Sequence, residues 1–592
     1  MTLLTLYAAA LRADVLVTRL GPTGDTGVAG FVERIAAPVG ARLRPRSVVW
    51  TFDPTPYTGD PINYIRFARE MQGFYQPHVR EPMFLALTRG FFHLVNNRDI
   101  AVSYASAFSS SLVVPATYLL GAAAFGPFVG LLAAGAWAIE FDAISWSAGG
   151  WRDDTFTLFF TLVAWSYVRF RQRATPLSAV AAGVAAAGAC LTRLSSLLFV
   201  GASLVWLIIE PAATVTRTRM ARMAAIAALV TAAVTGPYVV SCWLATGDPF
   251  YAVNYHTRYY RHAEGLRGFV PESATHFVVR QFQTRPIAAV DTAAGGLFSW
   301  PFSSKWSGFR PWSPRLATLL RWSAAAGLIV FLWSANGRLL LVLLLTALAP
   351  YALTYSLGGG GAWRFSEHVY PIYLVAVGFA WQRALRAAFA IVRARSTWRT
   401  WGALLTRRHV IVGAAAAVIA ALVPIAYYAL PLLITREALA ASDASTIEAG
   451  TRERWFFTGA WSEPRRSGPV VVRAAEATET GIRFALQSPT ALFLTLKMDP
   501  AETADPARQP WVTVFLNRQR LGEVRLTRDP TRMGAYRFQV PARMTRAGLN
   551  ALQLVSSHTV PAREGGRQFA WLARDAPVAF RLWYVRLVAM TQ

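Results

Sequence analysis

Long apolar runs with polar punctuation between them constrain this chain more than any other feature. They extend over Val102–Gly121, Phe125–Ile144, Thr155–Phe170, Leu177–Leu191, Leu197–Ile209, Met223–Leu244, Leu316–Trp333, Leu339–Tyr355, Val369–Trp381 and Val410–Ile434. A helix crosses a hydrocarbon core with roughly 20 mainly apolar residues, so these runs read as transmembrane helices. Met1–Leu11 is apolar but short, and it lacks a basic n-region and a small-residue cleavage site. It reads as a first span shortened at the chain's start rather than as a removable signal peptide. A polytopic α-helical membrane protein of about eleven spans is expected. Composition agrees, with 54% of 592 residues hydrophobic and 15% charged, and a mean hydropathy of +0.33. A disordered basic tail or a soluble nucleic-acid binder is excluded by that hydrophobicity, whatever the net charge of +27 suggests. Cys190 and Cys242 both lie in apolar runs and read as small buried hydrophobes, so neither a disulfide framework nor a Cys-based metal site is expected.

Arginine orients the spans. Positive residues favour the cytoplasmic side of short loops, and three clusters fall on one face: Arg169, Arg171 and Arg173; Arg217, Arg219 and Arg222; and the basic segment 383–409. The opposite, extracytoplasmic face then receives a first loop over 21–100, the turn Trp151–Asp154, a long loop over 245–314, the turn Gly358–Ser366 and everything after Thr435. Residues 1–440 form the transmembrane domain in this reading, and the expected site is the cell inner (plasma) membrane.

Residues 450–592 differ in character. Short alternating stretches appear at Ala491–Met498, Trp511–Leu516, Tyr536–Val540, Leu549–Val555 and Ala579–Val588, with turns such as Asp505-Pro506 and Asp529-Pro530 between them. They predict an extracytoplasmic β-sandwich. The phrases VTVFLNRQRLGEVRL and VPARMTRAGLNALQL, with an Asn turn and a G-x-N-x-L strand, resemble a jelly-roll carbohydrate-binding domain. A purely structural sandwich without a ligand stands beside that resemblance on equal terms.

Ionisable residues at membrane faces are costly and mark function. Five regions place them on the extracytoplasmic side: Asp53, Asp60, His78, Arg80 and Glu81; Arg152, Asp153 and Asp154; Arg193; His256, Arg258 and Arg261; and Arg364, Glu367 and His368. Around Asp60, the residues Ile62, Ile65, Phe67 or Ala68 and Met71 recur at helical spacing, which predicts an amphipathic surface helix. Asp60 stands where an N-cap would, and capping alone would account for it. Asp153 and Asp154 have two readings, contact with acceptor or sugar, or helix-start acids near Arg152.

The phrases GDPINYIRFAREM and HVREPMFLALTRGFF resemble the first periplasmic loop of the protein O-mannosyltransferase and aminoarabinose-transferase superfamily, glycosyltransferases of the GT-C type. GWRDDTFTLFF, LTRLSS and RFSEHVYPIYLVAVG follow in that family's order, so the resemblance runs through roughly residues 1–385. The family's acidic pair is Asp60-Pro61 here, and its Pro-Pro step is Glu81-Pro82. The resemblance implies an enzyme that moves a sugar from a polyprenyl-phosphate donor to a hydroxyl on a glycan, glycolipid or protein. A positioned carboxylate suits the general base of such a transfer, and arginine suits a departing phosphate. Asp60 is the candidate base. Arg193, Arg258 and Arg364 are the first phosphate candidates, with Arg261 and Arg80 behind them. Glu81, Arg152, Asp153, Asp154, His256 and His368 complete the expected substrate-binding set. One base without a carboxylate nucleophile would invert the anomeric centre.

No cofactor is required by this chemistry. A divalent cation could be held by His78, His256 or His368 with an acid, although no close His spacing points to one. Gly358–Gly361 lacks the Lys-Ser/Thr of a phosphate loop and reads as a turn. Tyr255, Tyr259, Tyr260, Trp300, Trp306 and Trp312 fit an interfacial belt or sugar stacking. Two other classes compete, a lipid-linked-sugar flippase and a membrane anchor displaying a glycan-binding domain. The first predicts charged or broken helices at mid-span and paired repeats, and the sequence has neither.

Overall fold

The computed structural model describes all residues except 22–26, 46–47, 51–56, 58, 264–271, 358–362, 395–424, 442, 468–469, 502–509, 528–533, 565–568, 570 and 591–592. Two compact units are present. The first comprises Met1–Val279 and Thr292–Ser396, and the second Arg280–Asp291 and Thr397–Gln592.

The first unit is helical. Among the described residues, three helices are long and apolar enough to cross a membrane: Ala101–Phe125, Arg217–Thr246 and Ala335–Ser356. A fourth candidate is the pair Pro127–Ile139 and Phe141–Ser147, bent by 56°. Helices Thr2–Leu20, Asp153–Arg173, Pro176–Thr192, Leu197–Ile209, Pro314–Phe331 and Tyr370–Ala394 occupy six of the other expected spans. The run Val410–Ile434 lies largely outside the described residues, as does the basic segment beyond Ala394.

Helix starts follow local chemistry. Pro127, Pro176 and Pro314 sit in first turns, where a missing N–H costs nothing. Thr175 and Ser178 form a reciprocal capping box. Helices Ala101–Phe125 and Pro127–Ile139 then cross at Gly121 and Gly130, where a methyl on Gly121 would stand 2.8 Å from the Gly130 Cα. Small residues permit such close backbone approach in helical membrane bundles.

Asp60 opens the surface helix Asp60–Glu70, but it is not the cap: Gly59, at φ 66°, takes that position and no side chain caps the helix. The helix buries Tyr64, Ile65 and Ala68, with Met71 buried just beyond its end, while Ile62 is exposed. The expected stripe therefore holds from Ile65 onward and fails at Ile62. Trp306, expected at a belt, is buried against Phe302 and Tyr370. The side chains of Tyr259, Tyr260 and Trp300 lie outside the described residues.

The second unit contains a helix at 425–440 and a β fold. Its strands are β1 (Ala444–Glu448), β2 (Phe457–Trp461), β3 (Arg465–Ser467), β4 (Val470–Leu486), β5 (Leu492–Pro500), β6 (Trp511–Leu516), β7 (Gln519–Arg525), β8 (Gly534–Val540), β9 (Gly548–Ser556), β10 (Val560–Pro561), β11 (Pro577–Val578) and β12 (Phe580–Ala589). The main sheet runs β7-β6-β9-β4-β12-β5-β8, with β1 on β12 and with β2 and β3 on β4. Long β4 joins two layers, since Arg473 and Ala474 pair with β12 whereas Glu479–Leu486 pair with β9. Alternate residues Leu492, Leu494, Leu496, Val512, Val514, Leu552, Leu554, Val585 and Leu587 fill one core between the layers. Each of the five strands expected from alternation is present, with ends shifted by two residues at most. The turns at Asp505-Pro506 and Asp529-Pro530 fall outside the described residues.

The Asn turn and the G-x-N-x-L strand form one structural lock. Asn517 and Arg518, at φ 50° and 69°, make the two-residue turn between β6 and β7. Asn517 Nδ2 donates to Asn550 Oδ1 (2.8 Å) and Met544 O (2.9 Å), while its Oδ1 accepts from Ala551 N (3.0 Å). Asn550 is wholly buried and also bonds Arg546 and Gly548 backbone groups. Both amides thus serve the fold. Asn550→Ala should destabilise this unit by about 2–3 kcal/mol, because several buried partners lose their bonds at once. A denaturant midpoint for the β transition of the full chain measures it.

Candidate active site

Most of the candidate residues converge on a cavity of about 440 Å³ within the helical unit. Asp60, Arg80, Glu81, Arg152, Asp153, Arg193, His256 and Arg364 all line it. The turn that carries Arg152 and Asp153 is held by a seam of serines along helix Ala101–Phe125. Ser103 Oγ donates to Ala148 O (2.7 Å), and Ser106 Oγ lies 3.0 Å from Trp151 O and 2.6 Å from Asp154 Oδ2. The turn carrying Arg152 and Asp153 is thereby held against that helix.

Three acids meet four arginines, and the pairs differ in kind. Arg152 bonds Glu81, whose other oxygen accepts the Leu194 N–H (2.8 Å), and Arg193 bonds Asp153. These side chains are 4–8% exposed. Arg193 also lies over the Phe156, Tyr351 and Phe365 rings, at 5.2, 5.4 and 5.7 Å. Asp60 is more open, at 25%, and is shared: Arg80 Nη2 lies 2.6 Å from Oδ1 and Arg364 Nη2 lies 3.3 Å from Oδ2. Arg364 in turn stacks on Trp151 (4.1 Å) and Phe365 (4.6 Å).

Electrostatics at Asp60 set two effects against each other. Burial raises its pKa, but the guanidinium groups of Arg80, Arg364, Arg152 and Arg193 outweigh burial and hold the carboxyl below the ordinary aspartate value. Arg80 Nη1 donates to His256 Nε2 at 2.8 Å, which requires that nitrogen to be unprotonated. His256 is held neutral, first by burial and then by Arg80, Arg152 and Arg193. His78 Nδ1 accepts the Arg80 backbone N–H (3.1 Å) while its ring packs on Phe67. Burial and then Arg80 lower its pKa too.

Other expected members lie elsewhere. Asp154 is wholly buried beneath the cavity on Ser106, and His368 is buried among Phe156, Phe160 and Tyr351. Neither lines the cavity. Glu367 is buried as well. Arg258 and Arg261 occur on helix Tyr251–Ala263, but their side chains lie outside the described residues, as do Asp53 and Gly358–Gly361. Among the described residues, no three His, Cys, Asp or Glu side chains form a candidate metal site. Asp60, Glu81 and Asp153 are each engaged by guanidinium, so this donor set does not suit a cation.

Sequence reasoning missed Tyr351, Thr354 and Tyr355, which line the cavity from a π-helical stretch after Pro350. The run Leu339–Tyr355 reads as one uninterrupted span, yet Pro350 is a signal for irregular backbone beside a cavity. Trp151, at the start of the turn that carries Arg152, supports Arg364, a role that its place in the turn does not reveal.

Residues 76–238 match the family model described as dolichyl-phosphate-mannose-protein mannosyltransferase. Arg80, Glu81, Arg152, Asp153 and Arg193 fall within the mannosyltransferase match; Asp60, His256 and Arg364 fall outside it. No curated protein matches the chain. Among solved structures, the oligosaccharyltransferase AglB of Archaeoglobus fulgidus, in complex with an inhibitory peptide and a dolichol-phosphate, is 14% identical, with 70% of this chain and 54% of that one covered and a TM-score of 0.39. ArnT of Cupriavidus metallidurans, bound to undecaprenyl phosphate, is 15% identical, with 65% of each chain covered and a TM-score of 0.37. The Saccharomyces cerevisiae protein O-mannosyltransferase Pmt1-Pmt2 complex, bound to the sugar donor, is 17% identical over 36% of this chain and 33% of that one, with a TM-score of 0.27. The chain spans about half the length of the archaeal oligosaccharyltransferase.

The two kinds of ion pair predict different responses to substitution. Glu81→Ala leaves Arg152 buried without its carboxylate and should cost about 3–5 kcal/mol, whereas Asp60→Asn, at a partly exposed pair, should cost no more than about 1 kcal/mol. Thermal unfolding of the detergent-purified variants should show a large drop for the first and a small one for the second.

Proposed function

We propose that this chain is a multi-pass membrane glycosyltransferase of about eleven spans that moves a sugar from a polyprenyl-phosphate donor to a hydroxyl acceptor. Transfer occurs at the extracytoplasmic face of the inner membrane and inverts the anomeric centre. The observation that carries this reading is the charge of the cavity: among the described residues, four guanidinium groups face three carboxylates, a surplus of one positive charge, with His256 neutral. A phosphodiester carries one negative charge and matches that surplus.

The same balance follows the reaction. The acceptor oxygen attacks the anomeric carbon as its proton passes to an Asp60 oxygen. The bond between that carbon and the phosphate oxygen breaks, and its electron pair leaves with the phosphate. Protonation of Asp60 raises the positive surplus to two as the departing phosphate monoester gains its second negative charge. Arg80 and Arg364 stabilise that charge where it develops. Arg258 and Arg261 remain candidates for the same phosphate. Apolar walls at Ala252, Val253 and Pro350 suit the first prenyl units.

The acceptor is a glycan, glycolipid or protein hydroxyl. Arginine clusters at 169–173, 217–222 and 383–409 support the orientation. For the extracytoplasmic β-sandwich at 450–592, the carbohydrate-binding resemblance loses force where Asn517 and Asn550 bond each other, so a structural role is the better supported reading.

Membranes containing Asp60→Asn, supplied with a polyprenyl-phosphate sugar, should transfer about 10²- to 10⁴-fold more slowly than wild type, the range for loss of a general base. Transfer at the wild-type rate would remove Asp60 from that role.

A further inference from the structure

The two arginines nearest Asp60 differ from the other pair in how they are held. Arg152 and Arg193 are buried in pairs with Glu81 and Asp153, and Glu81 is tied to Leu194 as well. Arg80 and Arg364 border the cavity at 12% and 18% exposure, and both turn an Nη2 toward the same partly open carboxylate. A phosphodiester entering the cavity competes with that carboxylate for those donors. Guanidinium groups bond phosphate oxygens in the same planar geometry they offer a carboxylate. Neither arginine must leave its place to change partner. Arg80 keeps Nη1 on His256 while Nη2 turns, and Arg364 is supported by the rings of Trp151 and Phe365 on which it stacks.

We propose that the donor unmasks its own base: its phosphate takes Arg80 and Arg364 away from Asp60, which then accepts the acceptor's proton only while the donor is bound. This inference rests on the donor reading above and adds an order of events to it.

The groups facing Asp60 give the direction. Arg80, Arg364, Arg152 and Arg193 hold its carboxyl low against burial, which acts the other way. Tyr64, on the same helix, also interacts electrostatically with it. With two of the four positive charges turned to phosphate, burial and the phosphate's own charge favour the protonated acid, so Asp60 becomes a stronger base. Phosphate binding is then linked to proton uptake. Affinity must rise as pH falls below neutral, until Asp60 is protonated without ligand as well.

The test is binding rather than turnover. Geranyl methyl phosphate, a prenyl phosphodiester whose single charge stays constant over this range, is titrated into the detergent-purified full chain and followed calorimetrically. Asp60→Asn should bind it about five- to tenfold more tightly than wild type, since the carboxylate no longer competes. The wild-type affinity should rise with acidification, and the Asp60→Asn affinity should stay flat. Arg364→Gln should weaken binding little in the wild-type background and several-fold more in Asp60→Asn. Equal losses in both backgrounds would overturn the exchange of partners while leaving Arg364 as a phosphate contact. If neither Arg80→Gln nor Arg364→Gln weakens binding in either background, the donor reading itself falls. Should Asp60→Asn fail to fold, the wild-type pH dependence still decides, and a flat wild-type profile overturns the proposal.

Discussion

The site depends on one buried ion pair. Glu81 and Arg152 come from segments far apart in sequence, and Glu81 also accepts the Leu194 N–H, so one carboxylate joins the entry to helix Pro82–Leu94, the turn before helix Asp153–Arg173 and the turn after helix Pro176–Thr192. A buried carboxylate is tolerated because both oxygens are satisfied. Arg193 and Asp153 repeat the arrangement next to it. With those charges fixed in place, the remaining acid and the two remaining arginines of the cavity face one another where a ligand can reach them. Structural and chemical roles are thus divided between like residues by burial.

Much of this organisation was legible in the sequence, for definite reasons. Apolar run length exposed the helices, and strand alternation in residues 450–592 marked five strands that are present. The candidate site was legible because charged residues at the ends of apolar runs are rare and costly. Asp60, Arg80, Arg152, Arg193 and Arg364 do come together. Partner choice was not legible. Nothing in the spacing of Glu81 and Asp154 tells that one binds Arg152 while the other is buried on Ser106, because that depends on helix rotation within the bundle. Asp60 was equally ambiguous, because an aspartate at a helix start reads as a cap whether or not Gly59 occupies that position, as it does here. The serines at 103, 106 and 110 share one helix face, at a spacing that could have pointed to a polar seam.

The β unit gives the same lesson. A motif that resembled carbohydrate recognition is a turn-to-strand lock, since Asn517 and Asn550 use their amides on each other and on backbone groups. The net charge of +27 also resolves into parts. Many arginines fall in basic loops, two in the cavity are held by buried acids, and Arg80 and Arg364 border its open space beside Asp60.

The central claim is a single displacement in which a hydroxyl deprotonated by Asp60 replaces a phosphate bound by arginines, with no carboxylate attacking the sugar. The other two carboxylates of the cavity, Asp153 and Glu81, are buried against Arg193 and Arg152. The most direct measurement is the anomeric configuration of the transferred sugar, read by NMR on the product of a donor of defined configuration. The account predicts complete inversion. Retention would require a covalent sugar–enzyme intermediate, and would contradict it.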